Sequence, residues 1–270
     1  LLTSCCKLLD LAATASSTTI SNNGTNCGSL LAAANACGTS FCGTSNYTTV
    51  ITQQSEVDAL AGCTDFYGSL HIIGNAAGAN VTNLDSLVNL TTIENDLYIE
   101  HVYAQNKDLP ALSLTQVNGN LDINACDFTN ILFPALTTVD NQYLRIRYSS
   151  LDSLNFEALT NVQNIYIGPH NGWNPSVSGG SGSYFRLNTF NSIVSMGDLK
   201  IEMNDGSPWG QSSYGLYHIG GFTNLQLLNQ LKVDDNLLLT SCCKLLDLAA
   251  TASSTTISNN GTNCGSLLAA

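Results

Sequence analysis

Lysine and arginine are scarce in this chain. Eight basic residues stand against 20 acidic ones in 270, for a formal charge of −12. Nucleic acid and anionic membrane surfaces both select for basic residues, so neither is an expected partner. Charge of either sign is thin, at 10% of residues. Asn, Ser, Thr and Gly take its place, so neutral polar groups or sugars must keep the surface soluble. No apolar run reaches the length of a membrane span. No basic n-region with an h-region opens the chain, which means little if this is an internal slice of a longer secreted protein. The ten cysteines show no C-x-x-C spacing, so zinc is not expected and disulfides in an oxidising compartment are. G-x-S-x-G, H-E-x-x-H and phosphate-loop motifs are missing, and His71, His101, His170 and His218 show no ligand spacing. No catalysis, cofactor or metal is expected. Asp234-Asp235 and Glu202 with Asp205 read as solvated turn residues ahead of acid/base pairs, and a Ca²⁺ site at Glu202, Asn204 and Asp205 is the lesser alternative.

What is present begins with a duplication. Residues 1–33 and 238–270 are identical, at an offset of 237. Drifting domains would not keep every surface position. The expectation is a tandem array of near-identical units of about 237 residues, seen here as one unit plus an overlap.

A shorter period runs inside the unit. Seven short strands recur, marked by Leu70-His-Ile72, Leu97-Tyr-Ile99, Leu121-Asp-Ile123, Leu144-Arg-Ile146, Ile165-Tyr-Ile167, Leu199-Lys-Ile201 and Leu231-Lys-Val233. Their first residues lie 27, 24, 23, 21, 34 and 32 positions apart. Apolar residues at every third position precede them, as in Val81, Leu84, Leu87, Leu90 and Ile93. Period two puts both apolar residues of each strand inward, and the period-three runs bring the chain back around the core. Rungs of this size predict a β-dominated parallel solenoid of leucine-rich-repeat type, with Leu on Leu and Ile on Ile. An antiparallel sandwich would want tight hairpin turns such as Asn-Gly between strands; Asn118-Gly119 occurs, but it precedes a strand at the point where other rungs carry Asn-Asp or Gly-Asp.

Open ends need caps, and the cysteines cluster there. Cys42 and Cys63 bracket a helix predicted over 55–61. At the other end a helix begins near Ser4, a last rung follows at Thr18-Thr-Ile20, and a second helix starts at Ser29. Residues 1–37 thus read as the C-terminal cap of a preceding unit and 38–41 as a link. Residues 42–270 read as one solenoid, with its N-cap at 42–67, rungs at 68–236 and a truncated C-cap at 237–270.

This ordered set resembles the receptor L-domain, the right-handed solenoid of the insulin and epidermal growth factor receptors that is also found in repetitive microbial surface proteins. The resemblance covers essentially the whole unit. It rests on Cys42 and Cys63 closing a helix before Gly68-Ser-Leu-His-Ile, on the repeated strands, and on the Cys242-Cys243 to Cys264 ending. It implies a Cys42–Cys63 disulfide. It also implies that Cys5 and Cys6 pair with Cys27 and Cys37, in an order left open. Cys242, Cys243 and Cys264 repeat this pattern with one partner past residue 270. Ligand roles of known receptors do not carry over, because the insertions between the later rungs depart from the pattern.

Candidate contact residues follow from the geometry. The outward strand positions form a ladder of His71, Tyr98, Asp122, Arg145, Tyr166, Lys200 and Lys232. This is either a contact face or an ordinary surface with cross-rung ion pairs such as Asp122–Arg145. Two Gly/Ser-rich insertions carry Trp173 with Tyr184 and Trp209 with Tyr214, suited to stacking on sugars or a neighbouring unit, or to covering the solenoid. Sequons stand at Asn23, Asn46, Asn80, Asn89 and Asn260, and glycans are candidate modifications. Cys126 is the odd thiol, read as a buried free cysteine ahead of an inter-chain bridge.

The leading expectation is a secreted structural protein that associates with itself head to tail in an extracellular filament. Eight strands at about 4.8 Å span roughly 40 Å, or about 50 Å with caps. The alternatives are a cell-surface adhesin or receptor for glycan or protein, and non-covalent polymerisation through swapped N-terminal caps.

Overall fold

The computed structural model describes residues 42–75, 80–103, 108–110, 112–147, 151–168, 184–202, 215–240 and 243–261, together with Ala33, Ala36, Cys37 and Cys264. In chain order the elements begin with strand β1 (Gly43–Ile51), helix α1 (Gln54–Asp58) and strand β2 (Asp65–Ile73). A 3-10 turn at Asp85–Leu87 leads to β3 (Thr92–Ile93), β4 (Leu97–Glu100), β5 (Gln116–Val117), β6 (Leu121–Asn124), β7 (Asn130–Leu132), β8 (Thr138–Val139) and β9 (Leu144–Arg147). Then come β10 (Ser153–Asn155), β11 (Asn161–Val162), β12 (Ile165–Ile167), β13 (Tyr184–Leu187), β14 (Ser195–Glu202), β15 (Gly215–Ile219) and β16 (Leu227–Asp234). Helix α2 (Cys243–Thr251) and β17 (Ala252–Ser258) close the order.

Every strand pairing among the described residues is parallel. The fold is a β-solenoid. Its main ladder runs β1-β2-β4-β6-β9-β12-β14-β16-β17, and a second ladder β2-β3-β5-β8-β11 turns off at β2 to complete a 13-stranded sheet. Two smaller pairs, β7 with β10 and β13 with β15, form further faces of the coil.

The inner columns explain the register. One runs Thr49, Leu70, Leu97, Leu121, Leu144, Ile165, Leu199, Leu231, Thr255. The other runs Ile51, Ile72, Ile99, Ile123, Ile146, Ile167, Ile201, Val233, Ile257. A slip of one residue would turn every aliphatic side chain outward, so burial fixes the pairing. Each buried Leu or Ile stabilises the coil by about 1.5–3 kcal/mol. At the turns opposite, Phe133, Phe156, Phe190 and Phe222 stack in one column with centroids 5.2–5.3 Å apart, and all four are fully buried.

Two polar columns lock the rungs from outside the core. The hydroxyls of Thr91, Thr115, Thr137 and Thr160 each donate to the carbonyl of the threonine one rung earlier, beginning at Thr64, over 2.9–3.2 Å. At the corner before the main strands, Asp96 Oδ1 accepts from Asn120 N, Asn120 Oδ1 from Gln142 N and Tyr143 N, and Asn164 Oδ1 from Asp198 N. These side chains satisfy backbone donors where the chain bends and the ladder breaks.

One expectation changes. Among the described residues the main ladder has nine strands rather than eight, because residues 42–67 hold β1 as well as α1. Thr49-Val-Ile51 takes the place of the usual Leu-x-Ile and extends the same columns. At the other end α2 and β17 lie where the duplicated segment predicts a helix and a last rung.

Candidate functional site

The outward side of the main sheet brings the predicted ladder into one line. His71, Tyr98, Asp122 and Arg145 are register partners, and Tyr166, Lys200 and Lys232 continue the row to Thr256. Two clusters dominate it, each a carboxylate shared by two cations beside an aromatic ring.

In the first, Asp122 points outward yet is only 1% exposed. Arg145 donates to Asp122 Oδ2 from Nε at 2.9 Å and from Nη2, and Arg147 Nη2 approaches the same oxygen at 3.4 Å. The Arg145 guanidinium lies 4.5 Å from the Tyr143 ring centroid. Burial works against the Arg145 charge, but Asp122 outweighs it and holds the guanidinium above its ordinary range. Burial first, and a hydrogen bond with Tyr143 next, push the neighbouring Tyr98 phenol up to about 12. The Asp122–Arg145 pair is thus a cross-rung lock, as the plainer reading of this face expects.

In the second cluster Glu202 accepts from Lys200 at 2.9 Å and from Lys232. Tyr166 donates its hydroxyl to Glu202 Oε2 at 3.2 Å, and the Lys200 ammonium sits 4.9 Å from the Tyr166 ring centroid. Burial opposes ionisation of Glu202, yet Lys232 and Lys200 hold its carboxyl below the usual range. Asn204 and Asp205, the other two residues of the Ca²⁺ alternative, lie outside the described residues. Among the described residues no group of His, Cys, Asp and Glu is arranged for a metal. At the start of the row His71 meets the Tyr98 ring edge-on at 5.5 Å, and its Nε2 lies 3.4 Å from Glu100.

Trp173, Trp209 and Tyr214 fall outside the described residues, and Tyr184 is described by its backbone alone. The strands that follow the two insertions, β13 and β15, pair directly, with Tyr184 opposite Gly215. The insertions therefore re-enter the coil on adjacent turns.

The cysteines divide. Cys42–Cys63 is a disulfide spanning β1 to β2 around α1. Cys37 and Cys264 are disulfide-bonded. Cys5, Cys6, Cys27 and Cys242 lie outside the described residues. Cys243 is free and exposed, in keeping with the expectation that one of Cys242, Cys243 and Cys264 is unpaired here. Cys126 is a buried free thiol 3.3 Å from Asn124 O, and burial pushes it up to about 12, where it is unreactive.

The sequons divide too. Asn46 and Asn89 are exposed and Asn80 is half-buried. Asn260 is buried; its Nδ2 donates to Val233 O at 2.9 Å, and its Oδ1 accepts from Asn236 N and Nδ2. That nitrogen has no room for a sugar, so Asn260 is a corner-forming residue instead of a glycan site. Asn23 lies outside the described residues.

No helix among the described residues is long and apolar enough to cross a membrane. No family model, curated protein or solved structure matches the chain.

Proposed function

We propose that this chain is a unit of a secreted structural filament, built from tandem receptor L-domain-like solenoids and devoid of catalysis. The observation that carries the reading is the identity of residues 1–33 and 238–270 on a coil whose strands all run parallel. A solenoid has two different ends, so head-to-tail joining repeats one vector and gives an open fibre rather than a ring. The Cys42–Cys63 disulfide suits an oxidising, extracellular setting. The outward face supports the same reading, since its Asp122 and Glu202 clusters tie successive turns together. Electron microscopy of the native material tests it, combined with mass measurement after reduction and denaturation. Filaments carrying a polypeptide far heavier than 28.6 kDa are expected. Isolated particles would refute the filament, and filaments that fall apart into chains of this size would replace the tandem array with swapped caps.

One observation favours adhesion as a second reading. The paired β13 and β15 begin where the two Trp-bearing insertions end, so both insertions rejoin the coil on adjacent turns, and aromatic residues in such loops suit stacking on sugars. Glycan-array binding that disappears in Trp173→Ala and Trp209→Ala would establish it.

A further inference from the structure

Strand β1 does not follow β2 evenly. Gly43 pairs with Tyr67 and Thr48 with Ser69, so residues 44–47 bulge out opposite Gly68. The bulge is built in. Gly68 has φ +82°, and a side chain there would meet the carbonyls of Tyr47 and Thr44 at 2.2 and 2.4 Å. Gly68 N donates to Glu94 Oε2 at 2.6 Å, and Ser45 Oγ donates to Glu94 Oε1 at 3.0 Å. One carboxylate from the following rung thus ties the bulge to the strand beside it. A bulge re-aims the side chains it carries. Here Asn46 takes the left-handed conformation at φ 64°, which Asn tolerates better than most residues. Residues 45–48 are all exposed.

Asn46-Tyr47-Thr48 is a sequon, and its surroundings differ from those of the other described ones. At Asn89 the sequon hydroxyl, Thr91 Oγ1, donates to Thr64 O at 2.9 Å. At Asn80 it is Thr82 Oγ1, which donates to Gln54 Oε1 at 3.3 Å, while Asn80 O accepts from Gln54 N. Asn260 is buried in its corner. Among the described residues no hydrogen bond holds the side chain of Asn46 or Thr48. A second observation is aromatic. Tyr47 and Tyr67 are large side chains left 50% and 53% exposed. Tyr47 follows Asn46 directly, and Tyr67 precedes the glycine against which the bulge packs. Tyrosine rings standing half in water suit the apolar face of a sugar ring.

We propose that Asn46 carries an N-linked oligosaccharide whose first sugars lie over Tyr47 and Tyr67. In the transfer, Asn46 Nδ2 attacks the anomeric carbon of a lipid-pyrophosphate-linked oligosaccharide. The N–C bond forms, the C–O bond to pyrophosphate breaks, and the lipid pyrophosphate leaves. The amide gives up one proton to a base of the transferase. The glycan then covers an apolar corner at the β1 end of the sheet. This inference rests on the secreted setting proposed above.

The 270-residue chain, secreted from a host that performs this transfer, tests it. Peptide mapping should find Asn46 glycosylated, and converted to Asp after enzymatic release. Thr48→Ala removes the sequon, keeps Asn46 and the bulge, and should lose that glycan. Nitration with tetranitromethane reads the packing. Tyr47 and Tyr67 should be protected in the parent, and several-fold more reactive both in Thr48→Ala and in the enzymatically released parent. Formation of Cys42–Cys63 reports folding in each sample. A free Asn46 amide in the folded parent would overturn the proposal, as would tyrosines equally reactive with and without the glycan. The filament reading fails separately. A glycosylated Asn46 in native material that forms only isolated particles would leave this site standing and remove the filament.

Discussion

The two halves of the solenoid hold their turns together differently. From Leu70 to Ile165 the rungs are 21–27 residues long, and after the unbroken nine-residue β2 the chain bends between two short strands in each turn. There the threonine column joins Thr64 to Thr160 and the Asp96–Asn120–Gln142 corner satisfies the bend. From Ile165 to Leu231 the rungs stretch to 34 and 32 residues. The corner is ironed out, and β14 and β16 each run unbroken over eight residues. The threonine positions become Val194 and Gln226, and exposed Val194 and Leu227 lie where the first half is polar. Longer continuous backbone pairing takes over from side-chain hydroxyls, leaving the turns free to carry insertions. What both halves share is the aliphatic interior, and the phenylalanine column bridges them.

Severing that bridge should have the largest effect. Phe156→Ala removes a fully buried ring stacked between Phe133 and Phe190. A loss of about 3–5 kcal/mol is expected in denaturant unfolding, with the two halves melting separately because nearest-neighbour contacts carry the coupling.

The charge clusters separate the halves next. Arg145→Ala strips the main partner from a carboxylate 1% exposed, and about 3 kcal/mol should be lost, Arg147 limiting the damage. Lys232→Ala at the more open Glu202 should cost about 0.5–1 kcal/mol. Equal costs would erase the distinction between a buried lock and a surface clamp.

Acid sharpens the same contrast. Glu202 is depressed in the folded state, so its contribution is full above the ordinary glutamate range and lost as pH falls through its lowered value. Stability measured from pH 6 downward should fall less steeply in the Lys232→Ala variant than in the parent.

The smallest effects lie in the threonine column. Thr115→Val deletes the hydroxyl that donates to Thr91 O and should cost about 0.5–1 kcal/mol. Gln226→Thr should add about 0.5 kcal/mol, since the Gln226 amide already approaches Val194 O at 2.8 Å, as in the intact column. No gain would mean that the second half lacks the column for reasons of backbone geometry.

The interior was the legible part. Leu-x-Ile recurring at 21–34 residues specifies which face is inward and which rung follows, because period two leaves a strand no other arrangement. Strand β1 escaped notice because Thr49-Val-Ile51 has no leading leucine, and its membership depends on the columns it extends. The threonine column is written in the sequence as Leu-Thr-x-Ile or Leu-Thr-x-Val, at Leu90 and Leu114 for example. Its bonding appears only when rungs stack in register. The burial of Asp122 could not be read locally, since the arms that cover it come from the next rung. The sequon at Asn260 is a three-residue pattern, but what decides its role is Asn236, 24 positions away.

The central claim is a tandem coil of parallel strands, and the axial repeat of the proposed fibre tests it most directly. Nine main-ladder strands among the described residues, taken as one unit at about 4.8 Å each, predict a repeat of about 43 Å, with the 4.8 Å spacing itself along the fibre axis. Fibre diffraction showing both would support the account. A 4.8 Å spacing across the axis, or a repeat under about 30 Å, would contradict it.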